Sequence, residues 1–497
     1  MARLVARALR LGRSALIQTS SRSEIYGLSY LTAALLWPGA MVLVVPPAVQ
    51  AVLLGKTLPA LQASLELDKL VQAGDRWPGA DFQGLLVTSP GAWLGDRLGA
   101  GDRFPAGLPV LIDPADDLES WARQQLTLHW QPTDWQQLQQ ACPQQSAAIQ
   151  GALGQLQQAL NARPTNPYNC YLLTEQDQGV LQALVAQLPV NGASASLREL
   201  HRRGAGPDHL LWATRTRDEL GEPLPQNWQP QPSTPIWLKA APLSVATALA
   251  PIWQQQSVIV IGGWLDWDAE AAIYRRQLGL GNLTSIKFSP NRQTEHIQLY
   301  LPERLPMPNT PEFKDAMIQQ IQRLCRGGML GQRHHSRREP EWLTLARRPA
   351  VVIVEDVPLR AQVAAALAAE FGSTVQVERA EVAAAGILIC SWQFWRDRQQ
   401  QLPTPQLLAI ATLPIPSLEH PHVAGRVAYH KQQHQDWFRH YLLPTALREL
   451  QRAVQPMRAA QGVVALLDSR ASRRSYGVKI LEALEPLARI NYIDWLN

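Results

Sequence analysis

Two groups of side chains in this sequence have the types and spacing for chemistry on phosphates: carboxylates around Asp116, and arginines in the second half. Asp113 ends an apolar run, and Asp116, Asp117 and Glu119 follow it. Such an acidic run can serve a metal ion, or it can cap a helix and lay negative charge on its positive end. The cap is the expectation. Gln451, Arg452 and Arg458 fall in one stretch near the other end. A guanidinium can meet a phosphate; the competing reading has Gln451 and Arg458 tie the last helix to a sheet. Between the halves, residues 326–348 hold Gly327-Gly328, His334-His335 and Arg333, Arg337, Arg338, Arg347 and Arg348. This is either an ordinary basic loop or one that contacts nucleic-acid phosphates. The paired histidines have no third ligand nearby, so no metal site is expected.

These residues need elements to hold them. Short apolar runs at 14–18, 41–45, 84–88 and 110–113 alternate with helical patterns, which predicts a parallel sheet covered on both faces. From 126 to 240 the chain becomes glutamine-rich and then proline-rich, predicting a mainly helical insertion that ends in a linker. A strand at 257–261 returns to the first sheet. Further strands at 350–355, 374–378, 386–390, 407–412 and 462–467 build a second α/β lobe. The expected division is 1–125 and 241–265 for the first lobe, 126–240 for the insertion, and 266–497 for the second lobe.

With 497 residues, 46% hydrophobic and 18% charged, the chain has ordinary multidomain globular composition, and its net charge of +5 admits nucleic acid as a partner. Cys142, Cys170, Cys325 and Cys390 lie far apart without metal-type spacing, which predicts reduced, buried thiols in a cytoplasmic protein. The stretch 32–54 is apolar, but Pro38-Gly39 and Pro46-Pro47 break it, so it predicts helix, turn, strand, turn, helix and no membrane span. Arg3, Arg7, Arg10 and Arg13 precede any acid and imitate an organellar transit peptide. Leu4, Val5, Ala8 and Leu9 instead predict one apolar face of a short helix that feeds the first strand.

The run Leu413-Pro414-Ile415-Pro416-Ser417, followed by Pro421 and Val423-Ala424-Gly425-Arg426, resembles a passage of DinG/XPD-type superfamily 2 DNA helicases. Ala241-Pro242-Leu243, Leu278-Gly279-Leu280, Ser289-Pro290, Leu301-Pro302, Leu467-Asp468-Ser469-Arg470 and Tyr476-Gly477 keep that family's order. The resemblance covers nearly the whole chain, weakly from 126 to 240. It implies two RecA-like lobes of the P-loop NTPase type, ATP and Mg2+ as cofactors, and single-stranded or forked DNA as substrate. It also aligns residues 1–6 with the helix before the family's phosphate loop, which would put the adenine-reading glutamine before Met1.

The resemblance also locates its own departures. A phosphate loop needs glycines, whose backbone N–H groups converge on the phosphates, and a lysine. Residues 20–26 offer Ser20-Ser21-Arg22-Ser23-Glu24-Ile25-Tyr26, in which Arg22 alone could meet a phosphate. The family's DEAH motif reads Asp113-Pro114-Ala115-Asp116: Asp113 matches the magnesium aspartate, but Pro114 can neither accept a proton nor orient water. The third motif reads Gly262-Gly263-Trp264-Leu265, keeping only its leucine. Of the closing motif, Gln451 and Arg458 match, Gln455 replaces the first arginine, and Arg452 is a candidate substitute. The interval that would carry an iron–sulfur domain holds no cysteine, so no cluster is expected. The expectation is a helicase body with impaired ATP hydrolysis, or a pseudohelicase acting as a DNA-binding protein or as a scaffold with a protein partner on 126–240.

Overall fold

The computed structural model describes residues 1–490 apart from 21–22, 100, 165–167, 191, 216–234, 331–348, 380 and 384–385. The first lobe begins with strands β1 (Ala15–Gln18), β2 (Met41–Val44), β3 (Val71–Ala73), β4 (Leu85–Thr88) and β5 (Val110–Ile112). An insertion follows with β6 (Leu128–Trp130), β7 (Cys170–Leu172), β8 (His209–Thr214) and β9 (Trp237–Pro242). The chain then returns as β10 (Val258–Gly262) and β11 (Thr284–Lys287). The first sheet runs β11-β1-β10-β5-β2-β4-β3, with every pairing parallel. The second lobe contributes β12 (Ile297–Tyr300), β13 (Ala350–Ile353), β14 (Val375–Val377), β15 (Ile387–Cys390), β16 (Leu407–Ile410), β17 (Val463–Leu466) and β18 (Leu487–Ile490). Its sheet is likewise parallel, in the order β14-β15-β13-β16-β17-β12-β18.

Continuous apolar runs form these strands because both faces are covered. In β2, Val42 and Val44 pack with Trp93 and Phe104 on one face, while Met41 and Leu43 pack with Tyr30 and Leu31 on the other. The second sheet is buried in the same two-sided way, between Trp395 and Leu447 on one face and Met317 and Leu367 on the other. No helix among the described residues is long and apolar enough to cross a membrane.

The insertion is mainly helical, as expected, but its helices Pro132–Ala141, Ser146–Asn161, Glu175–Gln187 and Gly192–Gly204 share a core with an unexpected antiparallel sheet of order β6-β9-β8-β7. Strands as short as Leu128–Trp130 and Cys170–Leu172 are too brief to carry a period, so helical patterns dominate the sequence. The first lobe also runs past residue 265, because Thr284–Lys287 pairs with Ala15–Gln18 at its sheet's edge. That strand has no fully buried residue, which hides it from a search for apolar runs.

Candidate functional site: the cleft between the lobes

Parallel strands deliver their following loops to the carboxyl edge of the sheet, where ligands bind in open α/β folds. Asp113 follows β5 at that edge and is fully buried. The helix Ser23–Leu36 lies against the sheet, and its Tyr26 and Tyr30, one turn apart, share a face. Tyr26 Oη donates to Asp113 Oδ1 at 2.5 Å, and Tyr30 Oη donates to Oδ2 at 2.7 Å. Burial, reinforced by the charge of Asp113, pushes both phenols well above their ordinary range, so they remain protonated donors. Both carboxylate oxygens thus bind permanent protein donors inside an apolar core. A hydrated magnesium ion would need those oxygens and room for its waters. The residues around Asp113 do not fit one.

The rest of the acidic run faces other partners. Asp116 accepts from the backbone N–H groups of Gly263 at 3.0 Å and Trp264 at 2.6 Å, joining the loop after β5 to the loop after β10. Gly262 permits this approach: a Cβ there would lie 2.8 Å from Asp116 Oδ2 and 2.4 Å from Leu265 Cδ2. Burial raises the Asp116 carboxyl above its usual range, against the opposing pull of Arg452.

Asp117 and Glu119 reach across the cleft. Asp117 sits at the start of the helix Leu118–Leu126, yet its side chain makes no cap hydrogen bond. Its Oδ1 instead lies 3.2 Å from Arg452 Nη2 of the second lobe. Burial raises the Asp117 carboxyl, but Arg452 and Arg396 outweigh it and hold it below its ordinary range. Glu119 Oε1 accepts from Arg123 and from Arg426, each at 2.7 Å, and Arg426 stacks 4.1 Å above the Tyr441 ring. Burial opposes ionisation of Glu119, yet Arg426 and Arg123 prevail and its pKa falls to about 2. Arg123 also donates to the carbonyls of Pro242 and Leu243, which binds the exit of the insertion into the same junction. The expected helix cap is therefore a clasp between lobes, because lobe-2 arginines offer these carboxylates more than the helix N-terminus does.

The motif matches at the far side of the cleft divide. Arg458 is buried and donates to the carbonyls of Glu295, Leu484, Glu485 and Pro486 at 2.9–3.2 Å. Gln451 is buried too, but its Oε1 has no hydrogen-bond partner among the described residues. It lines an interlobe cavity of about 260 Å³ with Ser20, Trp264, Lys287, Arg292 and Arg458. Arg452 belongs to the clasp. Arg22, Arg333, Arg337, Arg338, Arg347 and Arg348 lie outside the described residues.

No protein-family profile matches this chain, and no curated protein matches it. Solved structures do. Xpd4 of S. tokodaii superposes with a TM-score of 0.60 at 12% identity, over 98% of each chain. An apo XPD structure gives 0.58 at 11% identity over 98% of this chain and 99% of that one. A structure of the XPD helicase gives 0.58 at 11% identity over 98% of each. The chain has the XPD-type helicase fold.

Within the XPD-type fold, the expected pair of RecA-like lobes is present; Gln451 and Arg458 line one interlobe cavity, Arg452 pairs across the lobes with Asp117, and Asp113 is buried within the first lobe. Among the described residues no group of three His, Cys, Asp or Glu side chains is placed to hold a metal ion. Sequence reasoning missed Tyr26 and Tyr30 as partners of Asp113. Their signal was the four-residue spacing of two phenols on the helix that follows β1. It also missed the pairing of Glu119 with Arg426, residues 307 positions apart that no local pattern connects.

Proposed function

We propose that this chain is a non-catalytic member of the helicase fold, which binds single-stranded or forked DNA and does not hydrolyse ATP. The observation that carries the reading is the pair of tyrosine hydroxyls on the Asp113 carboxylate. Pro114, in place of a glutamate, supports it, because it leaves no base to orient water at that position. DNA as the partner rests on the fold shared with solved XPD helicases and on the net charge of +5. Affinity that falls steeply with salt follows if several phosphates are neutralised. A cytoplasmic location is part of the same reading, supported by the four dispersed cysteines.

The test is equilibrium binding of ATP with Mg2+, with and without single-stranded DNA, beside an ATPase assay. Salt-dependent DNA binding with no nucleotide binding and no hydrolysis is the expected result. DNA-stimulated hydrolysis would overturn the non-catalytic reading. A scaffold role for 126–240 is less supported, since the insertion buries Trp130, Trp135 and Trp212 rather than presenting them.

A further inference from the structure

The first helix, Ala2–Leu11, carries a charge pattern that its packing does not use. Val5, Ala8 and Leu9 are buried in the core that the helix Ser23–Leu36 also builds. Arg3, Arg7 and Arg10 lie on the opposite, exposed side, and Arg13 is exposed just beyond the left-handed Gly12 cap. None of the four side chains makes an ion pair or a hydrogen bond among the described residues. Arg3 and Arg7, and Arg7 and Arg10, are neighbours on the helix surface, so their charges repel. The apolar face alone docks this helix. The stripe therefore opposes folding slightly and calls for an anionic partner.

Its dimensions favour a nucleic-acid backbone. At 1.5 Å per residue, Arg3 and Arg10 stand about 10 Å apart along the axis. Phosphates of one strand of a duplex recur about every 3.4 Å of rise, and a single strand can extend further, so such a stripe can meet about two or three of them. Guanidinium groups grip phosphate oxygens in pairs, which lysines cannot do. A lipid surface fits less well. Interfacial helices bind by burying their apolar face, and here that face is already buried in protein. The stripe is also separate from the cleft: Arg13 precedes β1, whereas Ser20 and the cleft follow its carboxyl end.

We propose that Arg3, Arg7, Arg10 and Arg13 form a second DNA-backbone contact on the outer face of the first lobe. This rests on the DNA-binding reading above, and its test separates the two. Full-length protein and an Arg3→Gln/Arg7→Gln/Arg10→Gln variant are titrated with oligothymidylate across a salt series, with thermal melts to verify folding. Each lost single-strand phosphate contact should lower the slope of log K against log salt by about 0.7, so the variant should lose about 2. Arg7→Gln alone should lose about a third of that, which keeps the test valid if the triple variant misfolds. The triple lysine variant should keep the slope. An unchanged slope in folded Gln variants overturns the second contact and leaves the DNA-binding reading standing. Absence of DNA binding by the unmodified protein overturns both. Vesicles containing phosphatidylserine provide the other arm: binding lost in the Gln variants there, with DNA binding intact, assigns the stripe to membranes and overturns the proposal.

Discussion

Tyr30 donates its hydroxyl to Asp113 at 2.7 Å, and both side chains are buried at the carboxyl edge of the first sheet. With Tyr26 on the other oxygen, this bond turns what a motor would use as a metal ligand into a structural anchor between a helix and a strand.

Removing one phenol should therefore weaken the fold. Tyr30→Phe removes one hydrogen bond from a buried carboxylate, and a hydrogen bond to a charged group contributes about 1.5–3 kcal/mol. Tyr26→Phe should behave alike. The double variant should lose more than the sum, because the two phenols act on one buried charge and reinforce each other. Urea unfolding of the three variants checks this. A Tyr30→Phe protein as stable as its parent would sink the anchor.

The first lobe's strands are legible in the sequence because fully buried parallel strands are unbroken apolar runs, and 41–45 and 110–113 match Met41–Val44 and Val110–Ile112 closely. Asp113 is legible for the same reason, as the first polar residue after such a run. What it touches is not, since Tyr30 lies 83 positions away and depends on how a helix settles on the sheet. The edge strand Thr284–Lys287 carries no continuous apolar run, so nothing in its sequence ties it to the first sheet, where it pairs with Ala15–Gln18. The insertion's sheet stays hidden behind its longer helices, which supply most of its periodic sequence. The clasp is illegible for a third reason. Asp117 and Glu119 occupy positions where a helix cap satisfies every local rule, and only assembly of two lobes brings arginines to them.

The clasp should make stability depend on acid. Glu119 has its folded pKa lowered to about 2 from an ordinary 4.5, so its contribution is fully present above about 4.5 and disappears as pH falls through about 2. Glu119→Gln removes that dependence. It also leaves Arg123 and Arg426 facing each other in a mostly buried place, and breaking such a pair costs about 3–5 kcal/mol. Denaturant unfolding at a series of pH values measures both effects. The stability gap between parent and variant should close toward pH 2. A gap that stays constant from neutral pH downward would show that Glu119 does not hold the lobes by its charge.

Arg458 offers the sharpest separation between a motor residue and a structural one. Its guanidinium donates to carbonyls at Glu295, just before β12, and at Leu484, Glu485 and Pro486, just before β18. Those two strands pair at the edge of the second sheet, so one side chain staples the turns that begin both. Arg458→Gln cannot reach four carbonyls, and losing hydrogen bonds from a charged donor costs about 1.5–3 kcal/mol. Arg458→Lys keeps the charge but not the planar fork, and it should recover only part of the loss. A motor residue would behave differently, with stability unchanged and nucleotide-dependent properties lost. Melting temperature and oligothymidylate affinity, measured on the same preparations below the transition, distinguish these outcomes. Both variants should melt lower and bind DNA as the parent does; a variant of normal stability that no longer binds would transfer Arg458 from the scaffold to the working surface of the cleft.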